Sequence, residues 1–258
     1  MTHLHVTEHG PTEGTPNETV VLLSSIATTH ETWNALIPEL AKHFRVVTVD
    51  HRGHGQSETA PVAPGSTTVE DLCQDITQAL DSVGVNRFHI VGLSLGGALA
   101  QWLAAYSGRV EKAVFCATAT FLGGEERWTE RTTIAREQGM GALADAFIKA
   151  WFTEGFRASH PEKVNEVREM ILRIDAEGYA QNGDALAGWD FADQLGKITC
   201  PVLTVAGKDD AGTGPEQLAE IAAGVSGPVQ SAVIDGSHQV AVENPEAFNR
   251  VVKGFLGA

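Results

Sequence analysis

Apolar residues along the chain form six short and nearly continuous runs. The runs are rich in valine, isoleucine and leucine and cover residues 19–24, 44–50, 88–92, 110–116, 200–207 and 229–235. Runs of this length, without regular polar positions, are typical of strands buried on both faces of a parallel sheet. The pattern therefore predicts six strands of one central sheet.

Longer segments with helical spacing of their apolar residues lie between these runs. They predict helices over residues 33–43, 69–84, 95–108, 215–225 and 244–256. Asn244 and Pro245 form a favourable N-cap and first-turn pair for the last of them. Alternating strands and helices predict an α/β fold, with a mostly parallel central sheet flanked by helices.

Residues 122–195 break this alternation, because they contain no convincing strand pattern. Their spacing predicts helices over 124–138, 141–155, 161–175 and 184–190. We therefore predict a core domain of residues 1–121 and 196–258, with a helical cap, or lid, of residues 122–195. The alternative is a helical subdomain without a part in catalysis. Residues 10–18 are predicted to form a loop or hairpin.

Composition narrows the classes of partner. The chain has 258 residues, 43% of them apolar, and a formal net charge of −15. This charge argues against nucleic acid and anionic membranes as partners, since both attract basic surfaces. The first residues lack the pattern of a signal peptide, and no apolar run is long enough to span a bilayer. We expect a cytoplasmic protein; its oligomeric state stays open.

The three cysteines, Cys73, Cys116 and Cys200, show no paired spacing. Neither a disulfide framework nor a zinc site is predicted from them. His51 and His54 lie close together, but no third ligand accompanies them, so no metal site is predicted there either. The segment that contains His51 and His54 is interpreted as a structural turn after a strand, in which Arg52 anchors nearby loops.

Ser94 carries the strongest chemical signal. Residues 92–96 read Gly-Leu-Ser-Leu-Gly, between an apolar run and a predicted helix. This is the strand–turn–helix context of the G-x-S-x-G motif, in which a sharp turn exposes a nucleophilic serine. The alternative is a serine that only caps the helix. The helix N-terminus behind Ser94 would favour a developing negative charge.

A serine nucleophile needs a base and an acid that orients the base. With this motif they follow in the chain order serine, acid, histidine. His238 follows a late predicted strand and is the predicted base. Asp210 follows the strand before it and is the predicted acid, with Asp209 as its rival. The backbone N–H groups of Leu95 and Ile26 are the predicted oxyanion hole.

The chain resembles the α/β-hydrolase superfamily over nearly its whole length, and within it most resembles the 3-oxoadipate enol-lactonases. Four motifs stand in the order and spacing of the superfamily: DHRGHGQS (50–57), GLSLGG (92–97), AGKDDAGT (206–213) and DGSHQVAVENPEAF (235–248). The closer likeness includes W-x-E-R (128–131), R-x-x-G-M (136–140), WFT-x-x-F (151–156) and EGYA (177–180). One departure is the loop 24–27, Ser-Ser-Ile-Ala, where the enol-lactonases usually have Asn-Ser-Leu-Gly.

The resemblance implies hydrolysis of a small lactone that carries a carboxylate, without a metal or organic cofactor, in the breakdown of aromatic acids. Such a substrate needs a local cation in a chain of charge −15. Arg131 is the predicted carboxylate partner; the alternative is a solvated arginine paired with a neighbouring glutamate. Trp128, Trp151 and Ser25 are predicted substrate contacts, whereas Trp102 is predicted to serve packing.

Three neighbouring activities remain open: carboxylesterases, C–C bond hydrolases of ring-fission products and cofactor-free haloperoxidase-like enzymes. Dehalogenases and most epoxide hydrolases of this fold use an aspartate nucleophile, so Ser94 argues against both. A hydrolase-fold protein that only binds a ligand is the alternative from another class. The complete set Ser94, Asp210 and His238 argues against it.

Overall fold

One β-sheet organises the computed structural model, which describes residues 2–10 and 18–258. Within these residues the sheet has seven strands in the order β1-β3-β2-β4-β5-β6-β7. All neighbours are parallel except β1, which runs antiparallel to β3. The strands are β1 (Val6–His9), β2 (Thr19–Leu23), β3 (Arg45–Val49), β4 (Phe88–Leu93), β5 (Val110–Cys116), β6 (Val202–Gly207) and β7 (Val229–Ile234).

Helices cover both faces of this sheet. Outside the segment between β5 and β6 they are α1 (Ile37–Leu40), α2 (Val69–Ser82), α3 (Leu95–Tyr106), α9 (Pro215–Gly224), α10 (Val240–Glu243) and α11 (Pro245–Leu256). One apolar cluster includes Ile76 and Leu99, and a second includes Trp33 and Phe248. Strand β4 is buried along its whole length between them. The predicted α/β architecture is confirmed.

Five helices lie between β5 and β6. They are α4 (Gly124–Gln138), α5 (Gly141–Trp151), α6 (Glu154–Ser159), α7 (Pro161–Leu172) and α8 (Ala176–Ala187). Helices α4 and α8 pack closely, since a Cβ at Gly183 would lie 2.6 Å from Thr132 Cγ2. The division of the chain into a core domain and a cap stays a prediction. No helix in the described ranges combines the length and the apolar character that a membrane span requires.

Three predicted elements differ from the structure. The helix over 33–43 is replaced by a 3-10 turn at His30–Trp33 and the short α1. Pro38 lacks the N–H that a continuous helix would need there. The segment 141–155 divides into α5 and α6, because Thr153 is extended and caps α6 through its side chain.

The helix predicted over 184–190 instead begins at Ala176 and ends at Ala187. Two glycines weakened the helical pattern, yet Gly178 is needed by the packing. A Cβ on it would lie 2.3 Å from Gly53 Cα, so two backbones meet there. Strand β1 was not predicted, because four residues at a half-exposed sheet edge give little apolar signal. Of the segment 10–18, residues 11–17 lie outside the described residues.

Candidate active site

Ser94 lies in the sharp turn between β4 and α3. Its backbone has φ 58° and ψ −113°, a strained conformation for a residue with a side chain. The turn is possible because glycines surround it. A Cβ at Gly92 would lie 2.1 Å from the Gly96 carbonyl oxygen, and one at Gly96 would lie 2.1 Å from that of Leu23. The strained serine geometry predicted from the motif is therefore present.

His238 and Asp210 meet at the carboxyl end of the sheet. Asp210 follows β6, His238 follows β7, and their Oδ2 and Nδ1 atoms are 2.8 Å apart. Asp209, the rival acid, is exposed and has no contact of this kind in the described part of the chain. No hydrogen bond joins the Ser94 hydroxyl to His238 within the described residues, although both line one cavity. The geometry thus favours Asp210 as the partner of His238.

Asp210 is held as a carboxylate by a nearly complete set of donors. Oδ1 accepts from the N–H groups of Gly212 and Thr213 at 2.9 and 3.0 Å. Oδ2 accepts from the Thr213 hydroxyl at 2.8 Å, and this hydroxyl is also 3.0 Å from His238 Nδ1. Burial alone would raise the pKa of Asp210, but His238 and the Thr213 donors hold it well below its usual range. Thr213 was not predicted; Gly212, two residues after Asp210, supplies the N–H of an Asx turn, and the Thr213 N–H and hydroxyl add two further donors.

The two predicted oxyanion donors lie at the ends of different elements. Leu95 begins α3, directly after Ser94, and Ile26 belongs to the loop after β2. Neither backbone N–H donates to an acceptor among the described residues. Ile26 also lines the cavity.

The cavity has a volume of about 970 Å³ and lies between the ends of the strands and helices α4–α6. Trp151 forms one wall, with its ring stacked on His238 at a centroid distance of 6.2 Å. Trp128 also lines it, and the Trp128 indole N–H donates to the Leu122 carbonyl at 2.9 Å. Two aromatic walls beside a polar floor suit a small, flat and partly apolar ligand.

Unpaired arginines converge on this cavity. Arg127, Arg131 and Arg157 line it, and none has a carboxylate within 4 Å in the described residues. Seven of the other eight arginines form such a pair. Desolvation, and after it the positive charge of Arg131, lower the pKa of Arg127. Two neighbouring guanidiniums without a counter-ion favour binding of an anion.

Arg131 is placed between aromatic rings. Its guanidinium carbon lies 5.5 Å from the Trp128 ring centroid and 5.7 Å from that of Phe147. The alternative, in which Arg131 is solvated and paired with a neighbouring glutamate, is not found among the described residues. Arg127 and Arg157 were not predicted, because their lack of an acidic partner is visible only in three dimensions.

Two other predicted roles differ in outcome. Ser25 does not line the cavity: its side chain is fully buried, and its carbonyl closes a turn by accepting from Thr28. A direct contact of the Ser25 side chain with substrate is therefore not supported. Trp102 packs as predicted, with its ring 5.1 Å from that of Tyr106.

Comparison with known proteins places the chain in a family. A family model described as alpha/beta hydrolase fold matches residues 18–245. The chain belongs to this family. 3-oxoadipate enol-lactonase 2 of Acinetobacter baylyi is 32% identical over 240 residues, which cover 92% of this chain and 88% of the relative. The crystal structure of the enol-lactonase from Burkholderia xenovorans LB400 matches with a TM-score of 0.94 at 34% identity, covering 100% and 97% of the two chains.

A second similar structure is a thermophilic esterase from Thermogutta terrifontis, solved with malate bound. It matches with a TM-score of 0.90 at 27% identity and covers 99% of this chain and 93% of its own. These comparisons confirm the predicted fold, the resemblance to the enol-lactonases and the prediction that the chain is a hydrolase.

Proposed function

We propose that the protein is a serine hydrolase that opens a small lactone carrying a carboxylate, with 3-oxoadipate enol-lactone as its substrate. The observation that carries the proposal is the single cavity in which the strained Ser94, the His238–Asp210 pair and three unpaired arginines meet. Homology to enol-lactonases supports the choice of substrate. The reaction would belong to the breakdown of aromatic acids by the β-ketoadipate route.

The proposed chemistry follows from the atoms around Ser94. His238 Nε2 accepts the serine proton while Ser94 Oγ attacks the lactone carbonyl, and Asp210 fixes the Nδ1–H tautomer. The N–H groups of Leu95 and Ile26 stabilise the oxyanion. Hydrogen bonds between nucleophile and base are often loose before substrate arrives, so the missing Ser94–His238 bond is compatible with this role.

The two half-reactions use the same base. The ring oxygen leaves as an enol, with His238 returning the proton, and the enol becomes a ketone. Water, deprotonated by His238, then attacks the acyl-enzyme and releases a linear oxo-dicarboxylate with Ser94 restored. An enolate is a better leaving group than an alkoxide, so this reaction demands less of the general acid than amide hydrolysis does.

The arginines supply the substrate specificity in this proposal. Arg131 binds the carboxylate of the lactone, and Arg127 on the same helix reinforces its charge. Helices α4–α8 act as a cap that holds these groups above Ser94. The similar esterase was solved with malate, a small carboxylate, bound, which supports a ligand of this chemical class.

A carboxylesterase acting on a small anionic ester is the second candidate, favoured by the same esterase relative and by the roomy cavity. The test compares opening of 3-oxoadipate enol-lactone, followed by loss of ultraviolet absorbance, with hydrolysis of a neutral p-nitrophenyl ester. Fast lactone opening with a weak ester rate supports the lactonase. Fast ester hydrolysis without opening of the lactone supports the esterase. Ser94→Ala must abolish whichever activity is found.

The carboxylate role is tested by Arg131→Gln. We expect kcat/KM for the lactone to fall by about 10- to 100-fold, since a hydrogen bond to a charged group contributes about 1.5–3 kcal/mol. The rate on the neutral ester should stay within about 3-fold. Arg250→Gln is the matched control, because Arg250 also lacks a carboxylate partner in the described residues but lies outside the cavity. Equal losses on both substrates would exclude the carboxylate role.

A further inference from the structure

The loop from Ser24 to Thr28, which carries Ile26, is tied down on both sides by histidines. His51 Nε2–H donates to the Ser24 carbonyl at 2.8 Å, and the Gly96 N–H donates to the same oxygen at 3.1 Å. On the other side of Ile26, the Ala27 N–H donates to His54 Nε2 at 2.9 Å. The backbone of Ile26 thus lies between two anchors.

His54 can act as an acceptor only in one tautomer, and its surroundings select that tautomer. Its Nδ1–H donates to the Arg52 carbonyl at 2.7 Å, which leaves Nε2 without a proton. The side chain is fully buried. Burial, and then the charge of His51, lower its pKa to about 4, so the ring is neutral at physiological pH.

Ala27 needs this anchor because its backbone is strained. Its φ is 60°, in the left-handed region that is unfavourable for a residue with a Cβ. Relaxation of Ala27 to an ordinary φ would turn the peptide between Ile26 and Ala27 and, through the Ile26 Cα, shift the preceding peptide, which carries the Ile26 N–H. The hydrogen bond from the Ala27 N–H to His54 Nε2 opposes that relaxation.

We propose that His54 is a positioning residue for the oxyanion hole, holding Ala27 in its strained conformation so that the Ile26 N–H points at the reacting carbonyl oxygen. The inference rests on the proposed function. His54 touches no substrate; it acts through the Ala27 N–H alone. Its effect must therefore appear in the transition state, where the oxyanion develops, and hardly in ground-state binding.

The two hydrogen bonds of His54 can be separated by substitution. In His54→Asn the amide nitrogen takes the place of Nδ1 and can still donate to the Arg52 carbonyl, but nothing reaches Ala27. In His54→Gln the amide oxygen takes the place of Nε2 and can still accept from Ala27. The Arg52 carbonyl then keeps the Asn182 side chain as a donor at 3.0 Å. Each variant loses one buried hydrogen bond, so their losses of stability should be similar.

We expect kcat of His54→Asn to fall at least about 10-fold, with KM within about 3-fold, since a complete loss of one oxyanion donor costs about 100- to 1000-fold. His54→Gln should keep kcat within about 3-fold. An aryl trifluoromethyl ketone, whose serine adduct carries an oxyanion, should lose affinity for His54→Asn by the same factor as kcat. His89→Asn and His89→Gln are the matched controls, since His89 is also buried but lies near the start of β4.

Equal kcat values for the two His54 variants would overturn the inference and leave the proposed function standing. A parent protein that neither hydrolyses a lactone or ester nor reacts with a fluorophosphonate would overturn both. Should His54→Asn not fold, the bond is measured in the parent protein by the scalar coupling between the Ala27 amide nitrogen and His54 Nε2. Absence of that coupling would equally overturn the inference.

Discussion

Burial of His54 as a neutral ring predicts an acid-dependent loss of stability. Burial and the charge of His51 lower its pKa from 6.5 to about 4 in the folded protein. Between these values the unfolded chain binds a proton at this position and the folded chain does not. Stability is therefore complete above pH 6.5 and is lost as the pH falls from 6.5 towards 4.

The size of the effect follows from the shift. Each unit of difference between the folded and the unfolded pKa corresponds to 1.36 kcal/mol. The lowering of the His54 pKa from 6.5 to about 4 therefore changes the free energy of unfolding by about 3 kcal/mol in total. Integrating the linkage relation between pH 7 and pH 5 gives about 2 kcal/mol of this sum. The carboxyl of Asp210 does not contribute in this interval, because its pKa lies below it in both states.

The assay is urea unfolding followed by tryptophan fluorescence at pH 7, 6 and 5, for the parent protein and for His54→Gln. Between pH 7 and pH 5, the free energy of unfolding of the parent protein should fall by about 2 kcal/mol more than that of His54→Gln. The comparison uses only the slopes, so a general loss of stability in the variant does not disturb it. Parallel slopes would refute the conclusion that His54 stays neutral while the unfolded chain takes up its proton.

Two further predictions concern other hydrogen bonds to carboxylates. Thr213→Val removes the hydroxyl that donates to Asp210, so we expect the free energy of unfolding to fall by about 1.5–3 kcal/mol. Urea unfolding at pH 7 measures this change. An unchanged free energy of unfolding would contradict the role assigned to Thr213. His30 has its pKa raised by its hydrogen bond to Asp50, so its contribution is complete below pH 6.5 and lost as the pH rises through the folded pKa. As the pH rises above 6.5, the free energy of unfolding of His30→Gln should therefore fall less than that of the parent protein. Identical pH profiles of the two proteins would show that the His30–Asp50 hydrogen bond is not the cause.

The inner strands of the sheet could be predicted because they lie between two helical layers, where apolar side chains are favoured; β4 and β6 are buried along their whole length. The six apolar runs match β2–β7 to within two residues at each end, including the largely exposed edge strand β7. The edge strand β1 escaped prediction because one side of it faces solvent and carries polar residues. Tertiary contacts likewise decided α8, whose glycines look unfavourable until Gly178 is seen against Gly53.

The residues proposed for catalysis could be predicted from the sequence for two reasons. The motif around Ser94 is local, and the acid and the base follow it in a known order along the chain. The choice between Asp209 and Asp210 was not local. Both follow β6, and only the turn that buries Asp210 under Thr213 and against His238 separates them. The roles of His51 and His54 were equally hidden, since the bonds to Ser24 and Ala27 cross 27 positions of the chain.

Charge pairing explains why the arginines of the cavity were only partly predicted. The sequence offers acids near the cap arginines, and Arg131 has glutamates one position before it and six positions after it, but neither stands at the three- or four-residue spacing of helical neighbours. Arg136 instead pairs with Glu177 and Asp184 on α8, more than 40 positions away. With the acids of α8 occupied by Arg136, and aromatic rings beside Arg131, its positive charge remains available to the cavity. A chain with a net charge of −15 can in this way present a locally positive site to an anionic substrate.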